Sequence, residues 1–183
     1  VSQFVVTFTA SVSSGQKYSD YTTQCITETT YSVTWNPNGG NLGGNINNQV
    51  DSYEEGESIS KPDDPTRDGY TFDGWDSEPA DKMGTEDLTY TAQWTPIIYT
   101  ITYDNLQEAT NPNASITSYT IETEAITFQP ITENIPEGYQ FKAWNPASIE
   151  KGSTGNKNIT AQWTPIYTIT WLANGQEFHK QEH

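Results

Sequence analysis

The chain repeats itself with a period of 68 to 69 residues, and this repeat constrains the fold more than any other sequence feature. Three separate motifs recur in the same order. Because self-similarity at a fixed period indicates one structural unit used several times, we expect tandem domains. The recurring motifs are Tyr31-Ser32-Val33-Thr34-Trp35 with Tyr99–Tyr103 and Tyr167–Trp171, Gly69-Tyr70-Thr71-Phe72-Asp73-Gly74-Trp75 with Gly138–Trp144, and Thr91-Ala92-Gln93-Trp94-Thr95-Pro96 with Thr160–Pro165.

The spacing of the motifs divides the chain into four segments. Residues 31–98 and 99–166 are complete modules, and residues 167–183 are the truncated start of a third repeat. Residues 1–30 are either a degenerate repeat or the end of a different preceding domain. The chain begins and ends within strand-like sequence, so we expect it to be a fragment of a longer protein.

Within each module the hydrophobic period is two. Tyr31, Val33 and Trp35 alternate with small polar residues, and Leu88–Trp94 follows the same pattern. Alternation of β-branched and aromatic residues is typical of half-buried antiparallel strands. No segment shows the period of an amphipathic helix, so we predict mainly β or small α+β modules with little helix.

A module of 68 residues has a small core, which is marginal without disulfides or metal. Large rings are a plausible remedy, because each buries about 150–250 Å². We therefore interpret the recurring aromatic positions as the structural core signature. These positions are Tyr31, Trp35, Tyr70, Phe72, Trp75, Trp94, Tyr99, Tyr139, Phe141, Trp144 and Trp163.

Charge and hydropathy exclude two classes of function. The chain has 24 acidic and eight basic residues, a net charge of −16, and nucleic-acid binding requires a basic surface. No apolar run approaches the roughly 20 residues that a membrane-spanning helix needs, and no basic stretch followed by an apolar stretch predicts a signal peptide in this fragment. We expect no nucleic-acid partner and no membrane insertion within this fragment.

These motifs together resemble a known family. Val33-Thr34-Trp35-Asn36-Pro37-Asn38-Gly39-Gly40, then Pro65–Trp75 and then Tyr90-Thr91-Ala92-Gln93-Trp94 resemble the Listeria–Bacteroides repeat, the B-repeat of internalin B and other bacterial surface proteins. The resemblance spans residues 31–98. The second module keeps the aromatic frame but lacks the Asn-Pro-Asn-Gly-Gly turn.

This resemblance implies tandem β-grasp-like (ubiquitin-like) modules of mostly antiparallel strands. It also implies an extracellular location, on the cell surface or secreted, and a stalk or spacer role, and it carries no catalytic residues. Thr95-Pro96 and Thr164-Pro165 are then short, stiff joints, since proline fixes φ and restricts the preceding residue.

Catalytic chemistry finds little support in the sequence. Nucleophilic catalysis needs a base beside the nucleophile, but the histidines are only His179 and His183. The single cysteine, Cys25, excludes an intrachain disulfide and a multi-cysteine zinc site. We predict no enzyme activity, no cofactor and no metal centre, and a hydrolase remains only if residues 1–30 belong to an upstream catalytic domain.

Loop 63–76 of the first module is strongly acidic. Carboxylates are the ligands that calcium prefers, but the EF-hand spacing is missing, so a solvated loop is favoured and calcium binding stays open. The first module carries 13 acids and three bases, against seven and three in the second. The loop aspartates are Asp63, Asp64, Asp68, Asp73 and Asp76.

The leading hypothesis is a monomeric, non-enzymatic stalk of a bacterial surface protein. The alternative is an adhesin-type module that binds a host or cell-surface protein or a glycan, since a pure spacer needs no diversity of loops. A glycan platform would use aromatic residues outside the frame, namely Tyr18, Tyr21, Tyr53 and Tyr119. Asn113 and Asn158 begin N-glycosylation sequons, which mean little in a bacterial protein.

Overall fold

The computed structural model describes residues 29–173 and 176–182, with side chains up to Tyr167. Residues 1–28 therefore lie outside the described part, as do the side chains of Cys25, His179 and His183. The described chain contains twelve strands and no helix long and apolar enough to cross a membrane. The contacts divide it into two compact units.

The first unit contains a four-stranded mixed sheet in the order β2-β1-β4-β3. Strand β1 pairs with β2 in antiparallel register, Tyr31 lying opposite Tyr53. Strands β1 and β4 are parallel, with Trp35 opposite Tyr90. The strands are β1 (Thr30–Asn36), β2 (Gln49–Glu54), β3 (Tyr70–Trp75) and β4 (Leu88–Pro96).

The second unit repeats this arrangement as β6-β5-β10-β8. Strands β5 and β10 are parallel, and β10 pairs with β8 in antiparallel register with a bulge at Gln162 and Trp163. Strands β7 and β9, which precede and follow β8 in the sequence, form a separate small antiparallel sheet. The strands are β5 (Tyr99–Asp104), β6 (Ser118–Tyr119), β7 (Ile126–Thr127), β8 (Tyr139–Asn145), β9 (Ser148–Ile149) and β10 (Lys157–Pro165).

The parallel central pair corrects the prediction of antiparallel strands. The alternation within β1 and β4 is as predicted, but alternation reports which face is buried and not the direction of the neighbouring strand. Residues 37–87 form the long connection that a parallel pair requires. The sheets are therefore mixed rather than antiparallel.

Each unit has its own apolar core on one face of its sheet. In the first unit Val33 and Trp35 of β1 are fully buried, and in the second Ile159 and Ala161 of β10 take the central place. The first core comprises Val33, Trp35, Leu42, Tyr53, Met83 and Tyr90. The second comprises Ile101, Ala109, Tyr119, Phe128, Ile131, Trp144, Ile149, Ile159 and Ala161.

The contact-based units differ from the modules defined by the repeat at residues 68–71 and 95–98, which belong to the first module but to the second unit. The first unit takes in residues up to Arg67 together with Phe72–Trp94, and the second takes in Asp68–Thr71 and the chain from Thr95 onward. The module limits 31–98 and 99–166 stay a prediction from sequence. Strands β11 (Thr168–Ala173) and β12 (Gln176–Glu182) form a two-stranded antiparallel sheet in the segment predicted to open a third repeat.

Candidate functional site

The acidic loop of the first module does not converge on one point. Asp63, Asp64 and Asp68 are exposed on the chain that leads to β3. Asp76 has a structural role, because its Oδ1 accepts a hydrogen bond from the Thr91 N–H at 3.0 Å. Among the described residues no three His, Cys, Asp or Glu side chains lie close enough to hold a metal ion.

The end of β1 is closed by Asn38, which the sequence predicts only as a turn residue. Asn38 adopts a left-handed φ of 49°, and its Nδ2 donates to Ala92 O at 2.9 Å. Asn105 does the same in the second unit, with a φ of 57° and a hydrogen bond to Ala161 O at 2.7 Å. The second module therefore keeps this contact without the Asn-Pro-Asn-Gly-Gly sequence.

The last aromatic residue of each module completes this closure. Trp94 Nε1 donates to Pro37 O at 3.1 Å, and Trp163 Nε1 donates to Asn105 O at 2.9 Å. In the first unit the Arg67 guanidinium lies 6.0 Å from the Trp94 ring centroid, at the outer limit of a cation–π contact. Asn38 and Pro37 O in the first unit, and Asn105 in the second, therefore have a structural role in closing these loops.

A second repeated contact fixes the parallel strands at their start. Asp87 Oδ1 accepts a hydrogen bond from Ser32 N at 2.7 Å, and Asn156 Oδ1 accepts one from Thr100 N at 3.0 Å. The backbone hydrogen bond from Ser32, and next its side-chain hydrogen bond, lower the pKa of Asp87 below its usual value. The repeat thus uses a carboxylate in one unit and a neutral amide in the other.

This difference predicts a difference in acid sensitivity. A lowered folded-state pKa contributes stability above the ordinary pKa of aspartate, and this is lost as the pH falls through the lowered value. Asp87→Asn should therefore make the unfolding free energy of the first unit less dependent on pH below about 4. Residue-resolved NMR during urea unfolding at pH 2.5 to 7 measures it.

The reciprocal variant is the control. Asn156→Asp should add acid dependence to the second unit and leave that of the first unit unchanged. Equal acid slopes in the original chain and in Asp87→Asn would contradict the assignment.

The two cores differ in how they satisfy their buried ring donors. In the second unit Tyr103 Oη donates to Ile116 O at 3.0 Å, and Trp144 Nε1 donates to Gln129 O at 2.7 Å. In the first unit the equivalent Trp35 and Trp75 have buried Nε1 atoms with no hydrogen-bond partner within the described chain. The sequence shows the aromatic rings but not which of their donors are bonded. The accepting carbonyls of Ile116 and Gln129 lie in loop segments that do not belong to the recurring motifs.

Trp144→Phe should consequently destabilise its unit more than Trp75→Phe destabilises the other. The first change leaves Gln129 O without one donor and loses about 1 kcal/mol beyond the change of ring, whereas the second removes an unsatisfied donor. Unfolding free energies of both variants from urea titration measure this. A larger loss for Trp75→Phe would contradict the hydrogen-bond assignment.

The predicted core-signature residues occupy three kinds of position. Trp35 and Trp144 are buried, and most others pack at the margins of the cores, for example Phe72 5.5 Å from Trp94 and Phe141 5.8 Å from Trp163 between ring centroids. Tyr139 is 41% exposed and lies at the surface. The half-buried members are Tyr31, Tyr70, Phe72, Trp75, Trp94, Tyr99, Phe141 and Trp163.

Two tyrosines considered for a glycan platform are core residues. Tyr53 and Tyr119 are buried, and both occupy the position opposite the first tyrosine of their module. Their hydroxyls bind the backbone, Tyr53 accepting from Ser60 N and Tyr119 donating to Gly155 O. The expectation that they are free for a ligand is wrong, and Tyr18 and Tyr21 lie outside the described residues.

Asn113 is the one buried polar residue of the described chain, and sequence reasoning assigned it only a sequon. Its Nδ2 donates to Gln129 O at 2.9 Å, and its Oδ1 accepts from Gln129 N at 2.8 Å. The Asn113 side chain thus bonds to the Gln129 backbone as a neighbouring strand would, with one hydrogen bond donated and one accepted. No signal in the sequence identifies Gln129 as its partner.

Comparison with known proteins confirms the resemblance inferred from the motifs. The family model of the Listeria-Bacteroides repeat domain matches residues 31–96. Internalin H of Listeria monocytogenes is 30% identical over 126 residues, which cover 59% of this chain and 22% of that protein. A putative Gly-rich membrane protein of Evansella cellulosilytica is 30% identical over 142 residues, covering 64% and 15%.

The chain thus spans about a fifth or less of the length of these curated relatives. Among solved structures, the Streptococcal High Identity Repeats in Tandem (SHIRT) domains 3–4 from a cell surface protein are similar, at 17% identity and a TM-score of 0.27. That likeness covers 74% of this chain and 99% of the other.

Proposed function

Because residues 31–96 are a Listeria-Bacteroides repeat domain, we propose that the chain is a non-enzymatic spacer segment of a bacterial cell-surface protein. The observation that carries the proposal is the match to a repeat domain within a chain that repeats its strand motifs. The asparagine side chains that close β1 and β5 donate hydrogen bonds to β4 and β10, Asn38 to Ala92 O and Asn105 to Ala161 O. They hold the fold together, as a spacer requires.

Surface display tests the spacer role. The chain is placed between a bacterial cell anchor and a reporter binding domain, in one, two or three copies. Capture of a large target by the reporter should rise with the number of copies. It should not change when Asp63, Asp64 and Asp68 are replaced by asparagine, because a spacer acts through its length. Capture that is independent of copy number would contradict the proposal.

An adhesin role is the second candidate, and the unequal charge favours it. The first module has a net charge of −10 and the second −4, although their strand frames agree. An acidic surface attracts a basic partner and raises its rate of association. Binding of the purified chain to host cells or to a glycan array, lost at high salt or in the triple asparagine variant, would support the adhesin over the spacer.

We also propose that both units are β-grasp-like. The support is the strand order, which is identical in the two units and has a parallel pair in the centre with a partner on either side. In the first unit the described chain between β2 and β3 crosses the sheet in extended and turn conformations. Backbone NMR contacts between strands that place β1 beside β3 rather than β4 would contradict this proposal.

A further inference from the structure

The two asparagines that close β1 and β5 are followed by different residues, and this difference matters for covalent chemistry. Asn38 and Asn105 both have a left-handed φ, and the Nδ2 of each donates to a carbonyl of β4 or β10, at 2.9 Å and 2.7 Å. Asn38 is followed by Gly39, whereas Asn105 is followed by Leu106. The two corners therefore share their anchoring but not their backbone neighbour.

An Asn-Gly pair can react with itself in water. The glycine nitrogen gives up its proton to solvent and attacks Asn Cγ, and the Cγ–Nδ2 bond breaks as Nδ2 takes a proton from solvent and leaves as ammonia. Water then opens the cyclic imide at either carbonyl and yields aspartate or isoaspartate. Glycine favours the attack because it has no Cβ and its backbone turns freely. The side chain of Leu106 hinders the same approach after Asn105.

The folded corner keeps the reacting atoms of the first unit apart. Asn38 and Gly39 are exposed to water, with φ of 49° and 81°, and Gly40 N donates to Pro37 O at 2.9 Å. These features define a type I′ turn, in which the first central residue has a ψ of about 30°. This ψ points the Gly39 nitrogen away from the Asn38 Cβ, whereas ring closure needs both on the same side. The turn must therefore open before the reaction can start.

Three further hydrogen bonds hold the turn closed. Asn38 Nδ2 donates to Ala92 O, and Trp94 Nε1 donates to Pro37 O at 3.1 Å. The Arg67 guanidinium donates to Asn38 O at 3.4 Å. The turn thus opens only when these contacts to β4 and to Arg67 are broken.

We propose that Asn38 is a site of spontaneous deamidation, and that the closed corner protects it. Each opening of the corner exposes Asn38 Cγ to the Gly39 nitrogen. The product carries a carboxylate, which has no N–H to donate to Ala92 O, so the corner closes less well after the reaction. The second unit keeps its corner, because Leu106 follows Asn105. The reaction would occur equally in a spacer and in an adhesin, since it needs only the corner and water.

Peptide mapping of the full chain tests the site. The chain is incubated at mildly alkaline pH, either folded or in urea, then digested, and the deamidated and isoaspartate forms of each asparagine peptide are quantified by mass spectrometry. Asn38 should react at least about tenfold faster in urea than in the folded chain, because every molecule is then open. Asn105 should stay far slower than Asn38 in urea. The other Asn-Gly pair, Asn174-Gly175, lies outside the described residues and is quantified separately.

A variant of the closing contacts tests the protection. Trp94→Phe removes the donor to Pro37 O, so deamidation of Asn38 in the folded chain and hydrogen exchange of the Gly40 amide should both rise, by about three- to tenfold. The matched control is Trp163→Phe, which removes the equivalent donor to Asn105 O and should leave Asn38 unchanged.

The reaction product is tested directly as Asn38→Asp. Hydrogen exchange of the Gly40 amide should rise by about three- to tenfold, as the loss of the Asn38 donor to Ala92 O would produce. Equal reaction rates of Asn38 in the folded chain and in urea would overturn the protection. Conversion of Asn105 in urea as fast as that of Asn38, or an Asn38 that stays intact there, would overturn the site.

Discussion

Trp35→Ala should unfold the first unit and leave the second unit folded. Trp35 is 0% exposed, and its ring lies 4.9 Å from Tyr90 and 5.0 Å from Trp75 between centroids. Truncating a buried tryptophan costs about 3–5 kcal/mol, and a core of this size rarely supplies more than about 3–5 kcal/mol in total. Urea titration followed by residue-resolved NMR should show no folded baseline for the first unit.

Two control variants show whether the loss of the buried ring is what unfolds the first unit. Ile46→Ala removes an aliphatic side chain that is 74% exposed and should change the stability by less than about 0.5 kcal/mol. Trp35→Phe keeps a ring in the core and removes an indole N–H that has no partner in the described chain, so it should cost far less than Trp35→Ala. Equal losses for the alanine and phenylalanine variants would contradict the assignment of this ring as the centre of the core.

Asn113→Ala should have the largest effect of any polar substitution in the second unit. The side chain is 2% exposed and makes two hydrogen bonds with the Gln129 backbone. Removing it loses both bonds and leaves Gln129 N–H without its acceptor, a cost of about 2–4 kcal/mol. Gln129 O keeps its bond from Trp144 Nε1, so the loss should appear first in the loop on either side of Asn113.

The matched control is the asparagine of the other sequon. Asn158 is exposed, and its hydrogen bond to Asp104 lies at the surface, so Asn158→Ala should cost less than about 1 kcal/mol. The same pair can be tested by enzymatic N-glycosylation of the folded chain. Asn158 should react faster than Asn113, because both amide atoms of Asn113 are bonded inside the fold. Equal stability losses for the two alanine variants would contradict the structural role of Asn113.

The repeat and the alternation predicted much of the local structure correctly. The motif Tyr-x-Val/Ile-x-Trp/Tyr forms β1 and β5, and the motif that ends in Gln-Trp-Thr-Pro forms β4 and β10. Alternation of apolar and polar side chains indicates which face of a strand is buried, whichever strand pairs with it. For the same reason the family could be inferred from residues 31–98 before the fold was known.

The residues that complete each unit could not be predicted in this way. Asp87 binds Ser32 across 55 positions of sequence, and Asn38 binds Ala92 across 54. Asp87 and Asn38 are single polar residues in loops. Loop residues follow no hydrophobic period, so the sequence does not identify their hydrogen-bond partners. Sequence pattern does not identify Tyr53 and Tyr119 as core residues, because neither belongs to a recurring motif, although each lies opposite the first tyrosine of its module.

The sequence by itself determined the repeat, the strands, the aromatic frame and the family of residues 31–96, since all four depend on local pattern. Only the tertiary structure decided that the central strands are parallel, that Asn113 pairs with Gln129, and that Tyr53 and Tyr119 are core residues. Each of these depends on which distant segment the chain brings into contact. A hydrophobic period of two determines which face of a strand is buried. Which strand becomes its neighbour depends on how the long connection between the two strands closes.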